Sequence, residues 1–112
     1  MTAEATALQA FLGGFGLPVY GENNVPDGAG MPYITCAAAV PEPGGYARAR
    51  AWVWYPGHAY REAMAARDAI AEALADGGAC VQGVYLFDEG AEIVREVGRD
   101  CGAVRMTIGI RR

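Results

Sequence analysis

The clearest pattern along the chain is the strict alternation from Tyr46 to Tyr55. Tyr46, Arg48, Arg50, Trp52 and Trp54 fall on one side, and Ala47, Ala49, Ala51, Val53 and Tyr55 on the other. Period two over ten residues predicts a β-strand. A second strand is predicted from Tyr33 to about Val40, with Ile34, Cys36, Ala38 and Val40 on one face. The cluster Pro41-Glu42-Pro43-Gly44-Gly45 between them reads as a hairpin turn. From about Ala59 to Ala75 the period changes to that of a helix. Tyr60, Ala63, Met64, Arg67, Ile70, Ala71 and Leu74 share one stripe, and Gly77-Gly78 supplies the stop. A shorter helix is predicted from about Thr2 to Phe11, capped by Thr2, with Leu8, Phe11 and Leu12 as its apolar edge.

Three further segments read as strands: Cys80 to Phe87, Ala91 to Val97 and Ala103 to Ile110. Asp88-Glu89-Gly90 and Gly98 to Gly102 are the turns between them. Val104, Met106, Ile108 and Ile110 alternate with Arg105, Thr107, Gly109 and Arg111, as a half-buried strand requires. The order α-β-β-α-β-β-β defines an α+β fold of one domain over residues 1–112, with a largely antiparallel sheet carrying both helices on one face. Between Leu17 and Pro32 nothing is periodic. A stretch of that length in a small domain is commonly functional, which makes it the first candidate for a contact arm.

Composition narrows the function. The net charge is −4 over 112 residues, and all nine basic residues are arginine. An acidic chain without a concentrated basic face argues against a nucleic-acid grip. Hydrophobic residues make up 53%, but much of that is alanine, so the core is thin and association would help it. Neither a signal peptide nor a membrane-spanning run is present in the sequence, so no membrane partner is expected.

Candidate chemistry is sparse. His58 is the only histidine and follows Pro56-Gly57 at the start of a helix, the setting of an exposed loop or cap residue. Cys36, Cys80 and Cys101 form no CxxC or Cys/His cluster and read as buried or half-buried free thiols. Asp88-Glu89 and Glu92/Glu96 are solvating carboxylates, and no phosphate-binding glycine loop occurs. No catalytic residue, metal site or cofactor is therefore expected. The Tyr46/Arg48/Arg50/Trp52/Trp54 face has two readings. Trp52 and Trp54 either complete the domain's own core or belong to an interface, where Trp, Tyr and Arg concentrate. Stacking of single-stranded nucleic acid is a weaker third reading.

The run Gly16-Leu17-Pro18-Val19-Tyr20, then Val25-Pro26, then Met31-Pro32-Tyr33-Ile34-Thr35, resembles the start of small tail-completion proteins of long-tailed bacteriophages. The order of elements is similar to theirs along most of the chain. The alanine-rich strand after Thr35 departs from their pattern, where larger β-branched residues are usual. The resemblance implies a tail terminator: a non-enzymatic virion protein, assembled in the bacterial cytoplasm. It would end tail-tube growth as a ring, commonly a homohexamer, and join tail to head. It implies contacts with a tail-tube protein and a head–tail connector, and a lumen through which DNA passes without specific binding. On that reading Glu22, Asn23, Asn24, Asp27, Glu42, Arg48 and Arg50 are the expected subunit or partner contacts. Another neck or tail-tube ring protein, or a small ligand-binding or enzymatic domain centred on His58, are the alternatives.

Overall fold

A computed structural model describes residues 2–39, 45–95 and 101–111, with the backbone alone described at 93–95. Helix α1 spans Ala3–Leu12, and the Thr2 hydroxyl caps it by accepting the Ala5 N–H at 3.1 Å. Its buried side holds Ala7, Leu8 and Leu12, and also Glu4, whose carboxylate sits in the first turn where the helix dipole favours it. A 3₁₀ turn, Gly13–Phe15, leads out of the helix, and Phe15 meets Phe11 edge to face.

The six strands are β1 Val19–Gly21, β2 Tyr33–Ala38, β3 Ala47–Pro56, β4 Ala79–Val81, β5 Val84–Arg95 and β6 Cys101–Arg111. Their order in the sheet is β1-β2-β3-β6-β5-β4. Among the described residues only β1 and β2 run parallel; every other pairing is antiparallel. A second helix, α2 Tyr60–Ala73, follows β3 through the 3₁₀ turn Gly57–Ala59. This is the expected α+β fold.

Helix α2 crosses the middle of the sheet against β3 and β6, while α1 touches β1 and β2 near one edge and β4 and β5 near the other. The sheet thus curls until both edges reach α1. Between the layers lie Ile34 and Cys36 of β2, Ala49, Ala51, Val53 and Tyr55 of β3, Val84 and Leu86 of β5, and Val104, Met106, Ile108 and Ile110 of β6. From the helices come Leu8, Leu12, Ala63, Ile70 and Leu74. The β6 pattern is as its alternation predicts. In α2 the stripe holds at Ala63, Ile70 and Leu74, whereas Tyr60 lies at its edge and is 39% exposed.

Four expectations change. The reading that gives Trp52 and Trp54 to the core is overturned, because the alanine side of β3 faces the helices and the tryptophans are half-buried on the opposite face. Ala49 and Ala51 lie in the buried layer between the sheet and the helices. The irregular stretch contains a strand, β1, held to β2 by parallel pairing of Val19–Gly21 with Ile34–Cys36. Cys80 to Phe87 is a hairpin instead of one strand. Gln82 and Gly83 form its turn with φ of 51° and 79°, the left-handed pair that a two-residue hairpin needs. Asp88-Glu89-Gly90 does not end a strand either, because β5 runs through it as a bulge between Asp88 and Ala91. Gly90 takes φ 116° there and donates its N–H to the Asp88 carboxylate at 3.0 Å. The turn read at Pro41–Gly45 lies outside the described residues up to Gly44, as does Gly98–Asp100.

Candidate functional site

With both helices on one side, the other side of the sheet is open, and the polar and aromatic residues of β2, β3, β5 and β6 share it. Register decides which of them meet. Arg48 stands opposite Gly109 of β6, and Gly109 stands opposite Phe87 of β5. Gly109 has no side chain to separate the outer strands, and the Phe87 ring occupies the space its β-carbon would need. Arg48 therefore reaches over β6 to the bulge, donating from Nε to Glu89 Oε2 at 2.6 Å. Tyr46 joins this group, with its ring 5.7 Å from that of Phe87 and its hydroxyl 3.2 Å from Arg48 Nη2.

Arg50 turns the other way. It donates from Nε and Nη2 to both oxygens of Glu22, at 2.8 and 3.1 Å, and so ties the loop after β1 to the middle of the sheet. Those hydrogen bonds hold the Glu22 carboxyl below its usual value; partial burial opposes this, and a hydrogen bond with Trp52 assists it. Arg105 of β6 lies 5.6 Å over the Trp52 ring and pairs with Glu92, and Arg111 lies 5.4 Å over Tyr85. The rings of Trp52 and Trp54 stack at 5.7 Å with 21° between their planes. Trp54 donates its indole N–H to Thr35 Oγ1 at 2.9 Å, which satisfies a hydroxyl that is only 4% exposed on this face.

Beside the tryptophans the loop between β1 and β2 stands off the sheet and leaves an open groove of about 640 Å³. Trp52, Trp54 and Tyr33 line the sheet side, Asn23, Val25 and Met31 the loop side, and Glu22, Arg50 and Arg105 supply the charges. A groove of this size, aromatic below and edged by guanidinium donors, is suited to holding an apolar segment with one acidic group. Thr35 and the free cysteine Cys101 complete its lining.

The expected contact residues separate accordingly. Glu22 and Arg50 are brought together as an ion pair, and Asn23 lines the groove beside them. Asn24 forms a turn by donating its N–H to Gly21 at 3.0 Å, and Asp27 is exposed in the following turn. Arg48 is exposed and pairs with Glu89, while Glu42 lies outside the described residues. The single-residue reading of β3 omits Glu89, Glu92, Arg105, Arg111 and Tyr33 from this face. The signal for Arg105 and Arg111 was present in the alternation of β6, opposite Val104 to Ile110.

Elsewhere the chemistry is bland. His58 is exposed in its 3₁₀ turn and lines neither this groove nor the pocket of about 210 Å³ between α2 and the β5 bulge. Cys36 is buried, and burial, with a smaller push from Glu22, raises its thiol to about 11. Cys101 is half-buried, but Cys80 is exposed, contrary to the expectation that all three are sheltered. Among the described residues no three His, Cys, Asp or Glu side chains gather as metal ligands, and no helix is long and apolar enough to cross a membrane.

No family model matches the sequence, and no curated protein matches it. Among solved structures the chain is similar to one in the virion of a native gene transfer agent (GTA) particle. The TM-score is 0.61 at 24% identity, over 99% of this chain and 98% of that one. That likeness shows a shared fold from end to end.

Proposed function

We propose that the protein is a structural subunit of a phage or phage-derived virion, forming a ring at the head-proximal end of the tail. There it ends tail-tube growth and joins tail to head. The observation that carries this reading is the near-complete mutual coverage with a chain of a gene transfer agent particle, 99% and 98%. Two features add support. The order of elements and the Gly16–Thr35 motifs resemble tail-completion proteins, and the open sheet face is made of the residue types found at interfaces rather than in active sites. On this reading its partners are copies of itself, a tail-tube protein and a head–tail connector. Arg48, Arg50 and the loop bearing Glu22, Asn23, Asn24 and Asp27 lie at those contacts. An acidic subunit suits a lumen that lets DNA slide without adhering.

Negative-stain microscopy of the purified chain, alone and with tail-tube protein, tests the proposal. The expected result is rings with an open centre that cap tubes at one end. Rings stacking along tubes would assign it to the tube instead. Subunit-sized particles under both conditions would sink the ring reading altogether.

A further inference from the structure

Strand β5 is paired along nearly its whole length on one side and only at its start on the other. It meets β6 from Tyr85 to Arg95, whereas β4 covers it from Val84 to Leu86. From Phe87 onward no described strand lies on its outer side. Val81 and Val84 close a two-residue turn, so Val84 and Leu86 direct their main-chain groups toward β4. The same phase reaches Asp88. The bulge then inserts one residue and passes the outward phase to Ala91, Ile93 and Arg95. A bulge often blunts an edge, but here the register with β6 is regular again from Ala91 to Arg95. Such a row of outward N–H and C=O groups is matched by another extended main chain.

Beside this edge, on the helix side, lies the pocket of about 210 Å³. Ile70 and Leu74 of α2 and Met106 and Ile108 of β6 wall it, each at most 3% exposed, and Asp88 and Ala91 form its β5 rim. A cavity of about 150 Å³ holds a benzene ring, so this one has room for a single large side chain. Arg67 also lines it. Its Nη1 meets Asp68 at 3.0 Å, but its Nε is shut off from solvent and meets no acceptor among the described residues. A buried donor in that state is costly until an oxygen reaches it. Asp88 at the rim and Asp68 beside Arg67 repel a carboxylate, so a neutral carbonyl suits the place. We propose that a partner protein adds an uncharged extended segment to β5 along Ala91–Arg95, with one aliphatic side chain in this pocket and a carbonyl on Arg67 Nε. Main-chain pairing supplies the affinity and the pocket selects the residue. This site lies on the opposite face of the sheet from the tryptophan groove and does not depend on the ring reading.

The probe is an acetylated and amidated octapeptide with lysine at both ends. Between them threonine alternates with valine, and one central leucine replaces a valine. Titrated into the isotope-labelled full chain, it should shift the amide signals of Asp88, Ala91 and Glu92 saturably and slow exchange of the outward amides about tenfold. Two altered peptides leave the protein untouched. N-methylation of the four central residues should abolish the shifts, and glycine in place of leucine should raise the half-saturating concentration about tenfold. On the protein, Ala91→Pro removes an outward N–H, a change that an edge strand accepts, and should weaken binding about tenfold. Arg67→Met should weaken it about fivefold. Signals unmoved at about 1 mM peptide, or equal binding of either altered peptide, would overturn the proposal. Amide protection that rises with protein concentration, with no peptide present, would assign the edge to a second copy and overturn it as well. Rings that fail to form while the peptide still binds would count against the ring reading alone.

Discussion

The two faces of β3 solve opposite problems with adjacent residues. Toward the helices, Ala49, Ala51 and Val53 are at most 2% exposed and present almost no polar atoms. Toward the open side, Arg48, Arg50, Trp52 and Trp54 stand at the intervening positions, each engaged by a charge, a ring or a hydroxyl. The inner face is held by exclusion of water from small, closely packed groups. The open face is held by directed contacts that leave much of each side chain accessible. The first can tolerate little change in volume, and the second can exchange partners. Stability and recognition are thus separated by one residue of register.

The largest effect should come from removing inner-face bulk. Ile110→Ala, at a site 0% exposed between β3 and β5, is expected to cost about 2–5 kcal/mol in urea unfolding. Arg48→Ala on the open face, opposite the neighbouring Gly109, should move the same midpoint little. Overfilling is the next test. Ala51→Leu adds volume where α2 packs on β3 and should cost about 1–3 kcal/mol, while Arg50→Leu one residue away should not. If both behave alike, the division between the faces is wrong. A smaller loss, about 0.5–1.5 kcal/mol, is expected for Trp54→Phe, which removes the donor to Thr35 while keeping most of the ring.

The smallest effect is one of pH. Glu22 has a folded-state pKa below the ordinary carboxylate value of 4.5, chiefly through its hydrogen bonds from Arg50. Its pairing therefore adds stability above that value, and the contribution fades as pH falls toward the folded pKa. The melting temperature of Glu22→Gln should lie slightly below wild type near neutral pH. The difference should close as the solution is acidified past 4.5. A difference that persists in acid would mean that Glu22 acts through packing and not through its charge.

Much of this architecture is written in local periodicity. The stripe Ala63, Ile70 and Leu74 specifies α2, and Val104, Met106, Ile108 and Ile110 specify both β6 and its buried side. Periodicity also identifies β3, but hydrophobicity could not choose its inner face. Trp52 and Trp54 are far more apolar than Ala49 and Ala51, and only the nearness of α2 makes the small residues the correct ones. Strand β1 is three residues long, too short for any period, and owes its existence to β2 beside it. Gln82 is an unusual left-handed turn residue, so the β4–β5 hairpin carried no conspicuous turn signal. The groove was half legible: the aromatic alternation marked its floor and the irregular arm its wall. That the two are adjacent depends on the Arg50–Glu22 pair, which joins residues 28 apart in sequence.

The position of β6 in the sheet has a consequence for how the protein is made. It is the last of the six strands in chain order, yet it lies between β3 and β5 and divides the sheet into β1-β2-β3 and β5-β4. During synthesis those two pieces emerge first, each with an edge that has no neighbour. Neither the layer under α2 nor the row from Arg48 to Glu89 can form until β6 is inserted. The sheet therefore closes in one step, and products shortened before β6 leave the β3 and β5 edges unpaired, the form most prone to aggregate.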